Sequence, residues 1–222
     1  MKNAFEFNEK NTFCISLESK PDRWAKMQKR FHNQSLQVTR WKASEESDIK
    51  DNFHYELNKG QRGCAQSHIN IWRHIVENEL EYAFILEDDA CFDKEWRNKL
   101  NDFIIINFRM ENTQWDAIFL NGSEPIKPKG EWVKMEEQYL TGGYIISQKG
   151  AQNILKMFEG YFYSSDWMTT RLQTLGNSYS YFPWLIIQEG NESTIGSGFE
   201  ADHAKVVRCL KEIDYSMDHY DI

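Results

Sequence analysis

The hydrophobic pattern of this 222-residue chain switches between two periods. Short runs of β-branched and aromatic residues read as strands, and apolar positions three and four apart read as helices. Thr12 to Leu17 is the first strand-like run. Lys20-Pro21-Asp22 punctuates it and opens a helix whose buried face is Trp24, Met27 and Phe31. Gln37 to Lys42 predicts a second strand, and Ser44 to Asp51 a polar loop; the segment up to Lys59 has no clear period. Gly60 and Gly63 mark a turn or a close backbone approach. After them Ile69, Trp72, Ile75 and Val76 predict a helix as far as about Glu79, with Ser67 a candidate cap and His68 near the helix start.

The pattern is most pronounced at Tyr82 to Asp89, where five apolar or aromatic residues run straight into Glu87, Asp88 and Asp89. A continuous apolar run of this length predicts a strand buried on both faces. Such a strand can bring acidic residues to its C-terminal end, beside the ligand crevice of an open α/β sheet. Three adjacent carboxylates cannot all stay ionised, buried and unpaired. Either they form a solvated loop or helix cap, or they hold a divalent cation. Hard oxygen donors suit manganese or magnesium, with substrate phosphates completing the shell.

Further along, Trp96, Leu100, Phe103 and Asn107 predict a helix ending near Arg109, and Trp115 to Leu120 a strand that breaks at Asn121-Gly122. Pro125 to Gly130, with two prolines and two lysines, is the best candidate for a flap. Tyr139 to Ser147 predicts a strand containing Gly142-Gly143, the mark of a close ligand, a close backbone or a bulge. A helix follows, with Ala151, Ile154, Leu155 and Phe158 on one face, and another opens at Ser164 with Asp166 in its first turn. Asp166 there is either a helix cap or a general base. Tyr179 to Ile187 predicts a late strand, Gln188 to Ile195 a polar turn, and the tail from Ala201 a weak helix. Alternating strands and helices predict a single α/β domain over residues 1–222, with its core at about 12–196 and a C-terminal extension at 197–222.

Composition narrows the partners. Lys and Arg number 26 against 34 Asp and Glu, a net charge of −8, which speaks against a general nucleic-acid binder. The four cysteines form no Cys-x-x-Cys pair, so a zinc ribbon and a thioredoxin motif are excluded. The first twelve residues do not read as a signal peptide, and no run approaches a membrane span. The expectation is a reduced, cytoplasmic setting with free thiols, at most peripheral at a membrane that carries the substrate.

Four stretches, taken in order, resemble glycosyltransferase family 25. They are Ile15-Ser16-Leu17 with Asp22-Arg23; Gly63-Cys64-Ala65-Gln66-Ser67-His68 with Trp72; Ile85-Leu86-Glu87-Asp88-Asp89; and Gly142-Gly143-Tyr144-Ile145-Ile146-Ser147 with Gly150-Ala151, Asp166, Gln188 and Ser193-Thr194-Ile195. Gln61 stands where the family usually has Glu, and Gly142-Gly143 replaces its commoner Gly-Thr or Gly-Ser; both departures bear on sugar or acceptor choice. The resemblance implies a GT-A type fold, a mixed and mostly parallel sheet flanked by helices. It further implies transfer of a hexose, galactose first, from a UDP-sugar to a hydroxyl of a saccharide or glycosylated acceptor, with inversion. The ion it implies is Mn2+, with Mg2+ the alternative, held by Asp89 together with Glu87 or Asp88. Ser16, Leu17, Arg23, Ser67, His68, Glu87, Asp88, Gly143 and Gln188 are the expected donor contacts, and Asp166 the expected catalytic base. Two competing classes remain, a non-catalytic nucleotide-sugar or carbohydrate-binding protein on the same fold and a metal-dependent phosphohydrolase. Glu87-Asp88-Asp89-Ala90-Cys91 lacks the Asp-x-Asp pattern of haloacid-dehalogenase-type phosphatases.

Overall fold

The apolar run at Tyr82 is a strand inside a seven-stranded sheet. A computed structural model describes residues 5–109, 115–190 and 199–222 of the chain. The elements are β1 (Thr12–Ser16), α1 (Pro21–Asn33), β2 (Thr39–Lys42), α2 (Lys59–Glu77), β3 (Tyr82–Glu87), β4 (Ala90–Phe92), α3 (Trp96–Arg109), β5 (Ala117–Phe119), β6 (Trp132–Lys134), β7 (Gly143–Ser147), α4 (Gln148–Met157), α5 (Ser165–Leu175), β8 (Ser178–Tyr181), β9 (Ile186–Gln188) and α6 (Phe199–Lys211). The sheet order is β2-β1-β3-β7-β5-β8-β6, and β4 pairs with β9 in a separate antiparallel ribbon. Pairing is parallel for β1 with β2, β1 with β3 and β5 with β8, and antiparallel where β7 or β6 takes part. So β2, β1, β3, β5 and β8 run one way, and only β7 and β6 oppose them.

Alternation along the strands divides the core between the two faces of the sheet. Phe13, Ile15, Ala83 and Ile85 pack with Ile69 and Trp72 of α2, Ile154 of α4 and Leu172 of α5. Cys14, Phe84 and Leu86 pack on the other face with Met27 and Phe31 of α1 and with Trp96, Leu100 and Phe103 of α3. Tyr82 to Leu86 are all buried, as a strand covered on both faces requires. The expected mixed, mostly parallel sheet flanked by helices is the architecture found.

Three boundaries differ from the sequence pattern. α2 begins at Lys59, not after Ser67, because Asn58 caps it. The Asn58 Oδ1 accepts the Gln61 N–H at 2.9 Å, and the Gln61 Oε1 accepts the Asn58 N–H at 3.0 Å. Gly60, Gly63 and Ser67 are therefore helical, and Gln61 is a capping residue. The Tyr179–Ile187 stretch is two strands in two sheets, β8 and β9. The tail from Ala201 belongs to a real helix, α6, and the chain beyond it is tied back. The Tyr215 hydroxyl donates to Asp93, the Phe92 N–H donates to Asp221 Oδ1 at 2.6 Å, and the Tyr220 hydroxyl donates to the Trp184 carbonyl at 2.6 Å. Ser193, Thr194 and Ile195 lie outside the described residues. Among those described, no helix is long and apolar enough to cross a membrane.

Candidate active site

β1, β2 and β3 all end at one edge of the sheet, with Ile15 opposite Glu87 in the parallel register. A cavity of about 320 Å³ opens there. Ile15, Leu17 and Ala43 give it an apolar side, while Ser44, Glu45 and Glu46 follow β2 into its wall. Lys59 and Gly60 bring in the start of α2, and Lys59 is paired with Glu46 at 2.7 Å. Arg23, Cys64, Glu87, Asp88, Asp89 and Gln188 complete the lining. This is where an open α/β sheet places its ligand crevice.

The three carboxylates are held differently. Glu87 Oε1 accepts the Thr141 hydroxyl at 2.8 Å and lies 3.3 Å from His68 Nε2, and its Oε2 accepts Gln188 Nε2–H at 3.1 Å. Asp88 faces Arg23 at 2.5 Å and is hydrogen-bonded to Ser16. Asp89 receives Gln188 Nε2–H at 3.3 Å and lies 3.4 Å from Arg23. The triplet thus turns Glu87 toward α2 and sets Asp88 and Asp89 around one guanidinium.

The charges do not balance. Burial works to raise the Glu87 pKa, but the hydrogen bond and charge of His68, Thr141 and Arg23 outweigh it and hold Glu87 below the ordinary range. Burial raises Asp88 against the opposing pull of Arg23. Asp89 is raised to about 7, by burial first and then by the charge on Glu87. One guanidinium between Asp88 and Asp89, with Arg40 acting on Asp88 from further off, leaves the half-buried triplet short of positive charge. All-oxygen donors with such a deficit fit a hard divalent cation.

The sequence-predicted residues separate into two groups. Leu17, Arg23, Glu87, Asp88, Asp89 and Gln188 line the cavity. The others stand behind it. Ser16 is buried and bonds Asp88. His68 is buried against Glu87. Ser67 is buried inside α2, where its Oγ accepts the Ser44 N–H at 2.8 Å and donates to the Gly63 carbonyl at 2.8 Å. Gly143 is buried, and a Cβ on it would stand 2.6 Å from Ile186 Cδ1, so its small size makes room for a side chain of β9. A Cβ on Gly142 would likewise meet Gln188 Cγ at 2.7 Å. Asp166 begins α5, half-buried, with its Oδ1 accepting the Trp167 N–H at 2.8 Å. Its neighbour Ser165 lies 3.2 Å from Thr141 Oγ1 and 3.5 Å from Cys64 Sγ. The Pro125–Gly130 loop does not line the cavity; Ile126 packs against the cluster of Phe182, Trp184 and Val206, and the Gly130 N–H donates to the Phe182 carbonyl at 2.8 Å. Sequence reasoning assigned no role to Thr141, Cys64, Ser44 or Lys59. Cys64 sat inside the quoted Gly63–His68 stretch, and Thr141 directly before the Gly-Gly pair.

The class that this sheet and its acidic crevice define is a GT-A-like α/β fold. The family model described as "Glycosyltransferase family 25 (LPS biosynthesis protein)" matches residues 9–169. The chain belongs to glycosyltransferase family 25. It is similar to procollagen galactosyltransferase 1-B of Xenopus laevis, with 33% identity over 115 residues, covering 48% of this chain and 19% of that protein. A glycosyltransferase 25 family member of Drosophila pseudoobscura pseudoobscura is 30% identical over 168 residues, covering 64% of this chain and 26% of its own length. Human procollagen galactosyltransferase 2 is 27% identical over 168 residues, covering 64% and 27%. The match therefore takes in about a fifth to a quarter of the length of these relatives.

Proposed function

We propose that this chain is a metal-dependent hexosyltransferase, moving galactose from a UDP-sugar to a hydroxyl of a glycan or protein-linked acceptor, with inversion. The observation that carries the reading is the half-buried carboxylate triplet in the crevice at the strand ends, with Asp88 and Asp89 set around one guanidinium. The choice of galactose rests on the names of the relatives.

Asp89 and Asp88 would hold the cation, manganese first and magnesium second. When bound, it neutralises the charge that develops on the departing diphosphate. Glu87, turned to His68 and Thr141, orders the triplet from behind. Arg23 reaches over Asp88 and Asp89 and is the charged donor available to a phosphate oxygen. Ile15, Leu17 and Ala43 offer apolar surface to the base. Asp166, at the start of α5, is the candidate to take the acceptor proton as its oxygen attacks the anomeric carbon. Base catalysis of this kind is worth about a hundredfold to ten-thousandfold. Leucine and isoleucine on the cavity side also limit the water that would otherwise hydrolyse the donor.

The test is UDP release from a panel of UDP-sugars with manganese, followed by product mass against an acceptor panel. UDP-galactose is expected to lead, and Asp89→Ala to abolish the metal-dependent release with the fold intact by circular dichroism. Unimpaired turnover in Asp89→Ala, or no release from any donor, removes the reading.

A further inference from the structure

We propose that Cys64, His68 and Glu87 form a second, thiolate-containing metal site, of the kind that takes zinc. One ligand atom from each of the three lies within 4.8 Å of the other two, and His68 Nε2 is 3.3 Å from Glu87 Oε1. Cys64 and His68 are four residues apart on α2 and so share a helix face; Glu87 comes to them from the end of β3. Bonds of about 2.0 to 2.3 Å in a tetrahedral zinc site put ligand atoms about 3.5 Å apart, so a spread of up to 4.8 Å closes by at most about 1.3 Å.

Two further features mark a built site. Cys64 and Glu87 both line the cavity, which supplies an entry path and an open fourth position. The far nitrogen of His68, Nδ1, lies 2.8 Å from the Tyr144 hydroxyl, which Trp72 Nε1–H in turn donates to at 2.9 Å. A second partner on the other ring nitrogen is what fixes a metal-binding imidazole. Asp88 and Asp89 offer only oxygen, whereas this set offers sulfur, nitrogen and oxygen. Donor softness therefore sorts the ions, with manganese or magnesium to the aspartates and zinc to Cys64, His68 and Glu87.

The site shares Glu87 with the sugar-transfer reading but is tested without it. Cobalt(II) is titrated into the full chain after chelator treatment, with a non-thiol reductant. A thiolate-to-cobalt charge-transfer band at one equivalent is expected, and zinc should bleach it. The band should vanish in Cys64→Ser and lose its tetrahedral signature in His68→Gln. It should persist in Asp89→Asn, which removes an oxygen ligand of the other site. Tyr144→Phe should weaken zinc about ten- to a hundredfold. Absence of the band in the unmodified chain overturns the proposal, as does its survival in Cys64→Ser or its loss in Asp89→Asn. Cys64→Ser is nearly isosteric and keeps a partner in Ser165, and His68→Gln gives an independent reading if folding fails.

Discussion

Ser44 and Gly63 meet so closely that the Ser44 carbonyl oxygen lies 2.4 Å from where a Cβ on Gly63 would stand. Ser67 holds the same crossing, bonding the N–H of one residue and the carbonyl of the other. Gly63→Ala therefore has to push α2 away from the segment that follows β2. The loss is expected at about 1 to 3 kcal/mol, larger than alanine's gain in helix propensity of about 1 kcal/mol. Urea unfolding measures it. A variant as stable as the parent would show that the two segments part without strain.

Metal-free protein should be less stable at pH 8 than at pH 5. Asp89 in the folded chain holds its proton up to about 7, against 3.8 ordinarily, because of burial and the Glu87 charge. Between those values the folded state binds more protons than the unfolded chain, so stability falls as pH rises. Glu87 is held low, so its contribution is already complete across this range. The loss is on the order of a few kcal/mol. Denaturant midpoints against pH should show this slope, with Asp89→Asn flattening it and manganese removing it; a flat profile in the unmodified chain rejects it.

Arg23→Gln should move two quantities in opposite directions. Removing the guanidinium from Asp88 and Asp89 increases the negative charge that a cation meets, so manganese should bind severalfold more tightly. The donor loses its charged contact, so the KM for UDP-sugar should rise. Calorimetry and steady-state kinetics read the two separately, and movement of both in the same sense contradicts the placement of Arg23.

Asp166→Asn should cut transfer about a hundredfold or more while leaving UDP-sugar affinity nearly unchanged. Affinity falling in step with rate would make Asp166 a capping residue of α5 and not the base.

Tyr215→Phe should cost about 1 to 3 kcal/mol, although it lies far from the cavity in sequence. Its hydroxyl donates to Asp93, which is fully buried and also meets Lys99 at 3.0 Å and the Glu95 N–H at 2.8 Å, both on Oδ1. Equal thermal stability in the two proteins would show that Lys99 and the Glu95 N–H suffice.

Much of this was legible in the chain. The run from Tyr82 to Leu86 announced a strand covered on both faces, and its three carboxylates announced the crevice. The Trp24, Met27, Phe31 and Trp96, Leu100, Phe103 periods gave the two helices of one face. What misled was local. Gly60 and Gly63 read as a turn or a close backbone approach; Gly63 is the second, against Ser44, while Asn58 with Gln61 three residues on is a capping box that places the helix start ahead of both. Gly142 and Gly143 left a close ligand, a close backbone and a bulge all open, and the space beside them is filled by side chains that arrive more than forty residues later, from Gln188 and Ile186. The pairing of Asp93 with Tyr215 spans 122 positions and leaves no trace in any local pattern.

The reversed direction of β7 has a consequence for how such a protein diversifies. β1, β2 and β3 deliver residues to the crevice as they leave the sheet, so their contributions are fixed by the strands themselves. β7 delivers Thr141 as it enters, at the end of the long connection that begins after β5. That connection includes β6, which pairs with β8, and it grips Glu87 through the Thr141 hydroxyl and the Gly142 carbonyl. None of its described residues lines the cavity, so a change along it is felt as a shift of Glu87, whereas a change at Leu17 or Ala43 alters the crevice wall itself.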